Sequence, residues 1–159
     1  MAVYDSWENL TAAAEKHCAN VLLKDVAPVA KEIVRKHIQS DIYDAYTPQE
    51  GAWVNGSTYQ RRGKLLTTLQ ATLNVDGNEL TVTSKATASK PIIKGYRFNN
   101  VYPGAFLEML ESDNRGIWKS GFPRPAISNA QKEIDSSREI ISAIENGFRR
   151  RGVPVTYRG

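Results

Sequence analysis

The sequence of 159 residues predicts an α+β fold: an N-terminal helix or helix pair, a small antiparallel β-sheet built around a hairpin, and a long C-terminal amphipathic helix packed on it. Apolar residues recur every three to four positions in both terminal segments, as they do on one face of a helix. In the middle of the chain they alternate with polar residues, as in a half-buried strand. We expect residues 1–150 to form one domain and 151–159 to form a basic C-terminal tail.

The N-terminal segment predicts one or two helices. Asp5 and Glu8 have the spacing of a capping box and mark the first helix start. Pro28 either lies in the first turn of a second helix or kinks one long helix. We expect the helical pattern to end before Pro48, because the residue that precedes a proline disfavours helical geometry. The apolar stripe of this segment comprises Val26, Ala30, Ile33, Val34, Ile38, Ile42 and Ala45.

The middle of the chain predicts a β-hairpin with strands over 64–75 and 79–88. Apolar and polar residues alternate in the first strand, so one of its faces should be buried. Asp76 and Gly77 follow directly, and both residues tolerate the positive φ that tight hairpin turns require. Residues 89–125 carry many glycines and prolines, and their loop over 112–124 either folds back on the core or makes contacts with other molecules.

The C-terminal segment predicts a helix over 126–150 with an apolar seam that repeats as in a coiled coil. Arg149, Arg150 and Arg151 lie near its end, where positive charge suits the helix dipole, and Gly152 can cap it. The seam packs either on the rest of the domain or on another molecule. Its members are Ile127, Ala130, Ile134, Ser137, Ile141, Ile144 and Phe148, with Ser137 as the polar exception.

The charge is distributed unevenly. Residues 1–75 hold eight basic and eight acidic side chains, whereas the last eleven residues hold four basic and no acidic ones, which equals the net charge of +4. A nearly neutral body with a basic tail is unlike a dedicated nucleic-acid-binding domain, whose basic residues form a face of the fold. We find neither a secretory signal nor an apolar run as long as a membrane span.

The sequence predicts a protein without catalytic activity, cofactor or metal site. It contains no phosphate-binding glycine motif, no nucleophile elbow and no His, Cys or carboxylate cluster with ligand spacing. His37 lies near an apolar stripe and is expected to be a partly buried core residue rather than a ligand. Cys18 is expected to be a small packed side chain.

Two clusters combine basic and aromatic residues. Tyr59, Arg61 and Arg62 precede the first predicted strand, and the second cluster lies at the C-terminus. Such clusters occur in single-stranded nucleic-acid sites and also in protein interfaces, and the neutral body favours the interface. The candidate nucleic-acid contacts are Arg149, Arg150, Arg151 and Arg158.

The segment HIQSDIYDAYTP…TYQRRGKLL, within residues 37–66, resembles the start of the tail-completion, or head–tail joining, proteins of long-tailed bacteriophages. The resemblance continues with Gly121, Arg124 and Pro125 before a closing helix over 126–150, and the order of elements matches over roughly residues 20–150. The residues that carry the first part are Tyr43, Tyr46, Tyr59, Arg61 and Arg62.

The resemblance implies a non-enzymatic virion protein that forms a homo-oligomeric ring at the neck or the top of the tail. Its partners would be its own copies and neighbouring connector and tail proteins, with incidental DNA contact and no membrane, after synthesis in the bacterial cytoplasm. An alternative is a small phage-encoded binding protein or inhibitor that acts on nucleic acid or on a nucleic-acid enzyme. The expected oligomer or partner contacts are Trp53, Tyr59, Arg61, Arg62, Trp118, Phe122 and Arg124.

Overall fold

A computed structural model describes residues 5–45, 53–54, 57–58, 63–74, 76–86, 111 and 124–157. Helices and paired strands both occur, so the predicted α+β class is confirmed. The elements are α1 (Trp7–Val21), π1 (Leu22–Val26), α2 (Ala27–His37), π2 (Ile38–Asp44), β1 (Trp53–Val54), β2 (Ser57–Thr58), α3 (Lys64–Thr67), β3 (Leu69–Leu73), β4 (Leu80–Ser84), α4 (Ala126–Ser136) and α5 (Arg138–Arg150), where π1 and π2 are π-helical.

The chain divides into two compact units. The first comprises Met1–Ile33, Ala71–Val82 and Glu133–Gly159, and the second comprises Val34–Gln70 and Thr83–Lys132. The single domain that we predict over 1–150, followed by a tail over 151–159, stays a prediction.

Helix α1 begins one residue later than the capping-box pattern predicts. Ser6 is the N-cap, and its hydroxyl accepts a hydrogen bond from the backbone N–H of Asn9 at 3.2 Å. Asp5 instead accepts a hydrogen bond from the side-chain amide of Asn9 at 2.6 Å. A serine hydroxyl suits this position because it satisfies one of the backbone donors that a helix start leaves without a partner.

Helical backbone continues from Trp7 to Asp44 through the two π-helical segments. Pro28 lies in the first turn of α2, as one of the two alternatives predicts. The π-helical turn directly before it closes with a hydrogen bond from Ala27 N–H to the carbonyl of Leu22, a wider spacing than in an α-helix. The helical run ends at Asp44, before Pro48, as predicted. Its predicted stripe is largely buried, at Val26, Ala30, Ile33, Ile38 and Ile42, whereas Ala45 is exposed.

In the first unit, α1 and π1 pack against α5. Gly147 of α5 is buried, and a Cβ atom there would lie 2.7 Å from Asp25 Oδ2 and 2.9 Å from Val21 Cγ1. Glycine therefore permits a helix approach that any side chain would obstruct. Gly77 lies close to α1 in the same way, since its Cβ would be 3.2 Å from Ala19 Cβ.

The predicted hairpin is present as β3 and β4. Asn74 N–H donates to the carbonyl of Glu79 and Lys85 N–H donates to that of Thr68, both at 3.1 Å. Burial alternates along both strands, as predicted. The first strand is shorter than predicted, because residues 64–67 form the helical turn α3.

A second pair of strands is short. Strand β1 pairs antiparallel with β2, with Trp53 opposite Thr58 and Val54 opposite Ser57.

In the turn between β3 and β4, the side-chain carbonyl of Asn74 accepts hydrogen bonds from the N–H groups of Asn78 and Glu79, both at 3.1 Å. Gly77 adopts a φ of 68° there. Asn74 therefore stabilises a turn wider than the predicted Asp-Gly pair.

The predicted long C-terminal helix is two helices, α4 and α5, which meet at Ser137. Ser137 has extended backbone geometry, with φ −75° and ψ 120°, and its hydroxyl accepts from the N–H groups of Glu139 and Ile140. The polar residue in the predicted seam is thus an N-cap, because a serine side chain competes with the helical backbone bonds.

The buried positions of these helices agree with the predicted seam only at Ala130. Ala126 and Ala130 are buried in α4, and Ile140 and Gly147 are buried in α5, whereas Ile127 is exposed. The buried line of α5 therefore runs one residue before the predicted Ile141 and Phe148, which are half-buried. Because α5 begins anew at Ser137, the buried face of α5 does not have to continue the buried face of α4.

We predict that Gly147→Ala lowers the free energy of unfolding. The added Cβ overpacks the contact with Asp25 and Val21, which costs about 1–3 kcal/mol. The gain in helix propensity from glycine to alanine is at most about 1 kcal/mol. Urea unfolding measures the difference, and Ser142→Ala, at an exposed position of α5, is the matched control with an effect within about 0.5 kcal/mol. A Gly147→Ala protein as stable as the wild type would contradict the close approach.

Candidate functional site

The structure describes four of the predicted site residues with their side chains: Arg124, Arg149, Arg150 and Arg151. Trp53 is described by its backbone alone, in β1. The predicted contacts Tyr59, Arg61, Arg62, Trp118, Phe122 and Arg158 lie outside the described residues.

Two arginines of the C-terminal cluster bind the same carboxylate. Arg151 Nη1 lies 2.6 Å from Asp25 Oδ2, and Arg150 Nη2 donates to Asp25 Oδ1. The side chain of Asp25 is 10% exposed and that of Arg151 is 19% exposed, whereas Arg150 is 63% exposed. The pair between Asp25 and Arg151 is therefore partly shielded from water, which strengthens its electrostatic attraction.

Arg151 also binds two backbone carbonyls. It donates to the carbonyl of Gly147 at 2.6 Å and to that of Asn20 at 3.3 Å. One guanidinium thus connects the end of α1, the π1 carboxylate and the last turn of α5. Arginine suits this role because its planar group offers several donors in fixed directions.

The pKa of Asp25 is held below its ordinary value. Burial acts in the opposite direction and would raise the pKa, but the hydrogen bonds and charges of Arg151 and Arg150 outweigh it. The carboxylate is therefore ionised in the folded protein at neutral pH, and its ionisation is coupled to folding.

The chain turns back after α5. Gly152 has a φ of 74°, its N–H donates to the carbonyl of Arg149, and Val153 N–H donates to that of Phe148. These two bonds form a Schellman motif, so the predicted capping role of Gly152 is confirmed. Tyr157 N–H then donates to Glu145 Oε1 at 2.8 Å, which holds the tail beside α5 at Tyr157.

Arg149 differs from its two neighbours. Its side chain is exposed and contacts Asn146 Oδ1 at 3.5 Å, on the outer side of the helix. Replacing all three arginines would break the Asp25 pairs as well as any external contact. A change at Arg149 alone is therefore the cleaner probe of the nucleic-acid contacts that we predict for this cluster.

The first turn of α4 is held by a glutamate from elsewhere in the chain. Glu111 accepts hydrogen bonds from Ile127 N–H at 3.0 Å and Ser128 N–H at 2.9 Å, and from the Ser128 hydroxyl. A carboxylate at this position satisfies the first backbone donors and suits the positive end of the helix dipole. The carbonyl of Pro125 accepts from Asn129 N–H at 2.8 Å, and Arg124 is half-buried.

A second carboxylate in the same unit accepts three side-chain hydrogen bonds. Asp41 is contacted by His37 Nδ1 at 3.1 Å, Asn129 Nδ2 at 2.9 Å and Ser40 Oγ at 2.7 Å. Burial would raise the pKa of Asp41, but the bonds from Ser40, Asn129 and His37 lower it overall. His37 is half-buried and its ring contacts Asp41 within the fold, in agreement with its predicted core position.

A shallow cavity of about 260 Å³ opens on the surface of the second unit. Its volume is below the roughly 300–1,000 Å³ of typical small-molecule sites. Two lining side chains already bind each other, since Gln39 Nε2 donates to Asp44 Oδ1 at 2.6 Å. The lining residues are Gln39, Tyr43, Asp44, Gly63 and Leu66.

The described residues include neither a metal-binding cluster nor a membrane-spanning helix. Among them, no group of three His, Cys, Asp or Glu side chains is placed to hold a metal ion. In the same part of the chain, no helix combines the length and the apolar character needed to cross a membrane.

Comparison with known protein families gives a match over most of the chain. The model of the YomN family matches residues 6–150, nearly the whole chain. The chain belongs to the YomN family. YomN is a Bacillus phage-derived family, which makes this a phage-associated protein. No curated protein and no solved structure was found that matches the chain.

Sequence reasoning missed two acidic residues: the carboxylate that binds the arginines at the end of α5 and the carboxylate that caps the start of α4. Asp25 lies 125 residues from Arg150, and Glu111 lies 16 residues from Ile127, so local spacing gives no indication of either contact. One local signal was present: a glycine inside a strongly periodic helix, as at Gly147, often marks a close packing contact.

We predict that Asp25→Asn lowers the free energy of unfolding at pH 7 by about 1–3 kcal/mol, because it weakens charged hydrogen bonds to two arginines. The folded pKa of Asp25 lies below the unfolded value of about 3.9, so its contribution is complete above about pH 4 and is lost as the pH falls through the folded pKa. The difference between wild type and variant should therefore shrink below about pH 4. Urea unfolding across pH 2–7 measures it.

The matched control for this carboxylate is Glu15→Gln, which neutralises an exposed residue of α1. We expect it to change the free energy of unfolding by less than about 0.5 kcal/mol at every pH. Equal effects of the two substitutions would show that the Asp25 pairs contribute nothing specific.

We also predict that Glu111→Ala destabilises the start of α4 by about 1 kcal/mol, the usual effect of losing a helix cap. Hydrogen exchange should quicken at the amides of Ile127 and Ser128, whose acceptor is removed. Glu111→Gln keeps one acceptor oxygen and should lose less protection. Unchanged exchange at both amides in the alanine variant would rule out this capping role.

Proposed function

We propose that the protein is a non-enzymatic structural component of a phage virion, at the head–tail connector or the top of the tail, where it assembles as a homo-oligomeric ring. Its partners in this proposal are its own copies and the neighbouring connector and tail proteins. It is made in the bacterial cytoplasm and ends in the virion, with no membrane partner.

Membership of a phage-derived family over residues 6–150 is the observation that carries the proposal. The order of elements adds support, because helices lead into a short antiparallel hairpin and two helices close the chain after Arg124 and Pro125. This is the order that the tail-completion resemblance implies.

The surface of the first unit also favours an assembly role. Trp7 and Tyr157 expose 81% and 62% of their areas to solvent. Tryptophan and tyrosine are enriched where proteins contact each other, and their burial contributes much of the binding energy at such contacts.

Virion composition and particle morphology test the proposal. Mass spectrometry of gradient-purified particles from the phage that carries this gene should detect the protein. Deletion of the gene should leave filled heads and separate tails, which electron microscopy distinguishes. A plasmid copy of the wild-type gene should restore joined particles, as the matched control. Normal, infectious particles from the deletion strain would contradict the proposal.

A further inference from the structure

Helix α1 presents an apolar face that the described residues leave open to solvent. Trp7, Leu10 and Ala14 are spaced by three and four positions, so they lie on one side of the helix, and all three are exposed. The same line continues to Val21, which is buried at 1% exposure in the first unit. The apolar line is therefore covered at its C-terminal end and uncovered over its first two turns.

Acidic residues border this uncovered part. Glu8 and Glu15 are seven residues apart, which places them on one side of α1 next to the apolar line, and both are exposed. We call Trp7, Leu10 and Ala14 together with these two glutamates the α1 outer face. Residues 5–16 hold three acidic side chains and one basic one, so this part of the helix is negatively charged.

The other end of the first unit has the opposite charge. Glu145 and Arg149 are four residues apart on α5, and the backbone N–H of Tyr157 binds Glu145. The backbone of Tyr157 therefore lies beside α5 one turn before Arg149, and both residues are exposed. We call Arg149 and Tyr157 the C-terminal corner. Residues 149–157 hold three arginines and no acidic residue.

We propose that the α1 outer face of one copy docks on the C-terminal corner of a second copy of this chain. This inference rests on the proposed ring, for which it names the contact. The two glutamates approach Arg149, while Trp7 packs on Tyr157 and against the Arg149 guanidinium, a favourable arrangement for a cation above an aromatic ring. Two different patches meet, so the contact is heterologous, and repeated heterologous contacts close into a ring when the rotation permits.

Charge reversal with compensation tests the docking. Glu8→Lys combined with Glu15→Lys reverses one surface, and Arg149→Glu reverses the other. Each variant should raise the dissociation constant of self-association by roughly tenfold, since exposed ion pairs contribute modestly and are here replaced by repulsion. The chain that carries all three substitutions should recover most of the wild-type self-association. Sedimentation analysis at low ionic strength measures the constants, because salt screens such contacts.

Arg138→Glu is the matched control, because Arg138 is an exposed arginine at the start of α5 and lies outside the C-terminal corner. It should leave the dissociation constant unchanged. Thermal unfolding of every variant should match the wild type, so that lost association reflects the surface rather than the fold.

The outcomes separate this inference from the proposed function. Rings that form equally well from all charge variants, or a wild-type chain that stays monomeric at the highest attainable concentration, would overturn the docking. The proposed place in the virion is tested separately, by particle composition and morphology, and neither of those measurements depends on self-association of the isolated chain. Recovery in the triple variant supports the docking directly, because misfolding cannot produce compensation.

Discussion

The contact of Asp25 with the last turns of α5 is the constraint on which the first unit depends. Asp25 binds Arg150 and Arg151 and lies against the Cα of Gly147, so one carboxylate determines both the charge pairing and the helix approach. Its position in π1 matters, because a π-helical turn shifts the following side chains around the helix axis relative to a regular α-helix. Without a glycine at 147, the carboxylate could not approach the helix backbone so closely.

The same contact determines which basic residues remain available at the surface. Two arginines are directed toward Asp25, and the Schellman motif then turns the chain back so that Tyr157 reaches Glu145. Arg149 faces away from Asp25 because neighbouring residues on a helix point in different directions, and the next two arginines are the ones that bind Asp25. A run of three arginines is therefore divided between folding and surface charge.

Periodicity was sufficient to predict the element types except at residues 64–67, which form a helical turn instead of a strand, and long-range contacts explain most of the rest that it missed. Alternation in β3 and β4 and the stripe of Val26, Ala30 and Ile33 depend on local pattern and were predicted correctly. The helix break at Ser137 was missed because a serine within an apolar seam is compatible with both a continuous helix and a cap. The roles of Asp25 and Glu111 depend on partners that only the folded chain brings near. The predicted contacts Tyr59, Arg61, Arg62, Trp118 and Phe122 stay predictions.

One side of α5 packs in the core and the other side faces solvent, and this has a consequence for assembly. On α5, Gly147 and Ile140 are turned toward the core, and Arg149 is turned toward solvent. A change on the outer side can therefore alter contacts with other molecules while the core contact with Asp25 is preserved. Conversely, loss of the Asp25 contact would release the end of α5, and both Arg149 and Tyr157 would be displaced with it. Stability and surface geometry are thus coupled through one carboxylate, and variants must be matched in stability before any difference in assembly is assigned to the surface.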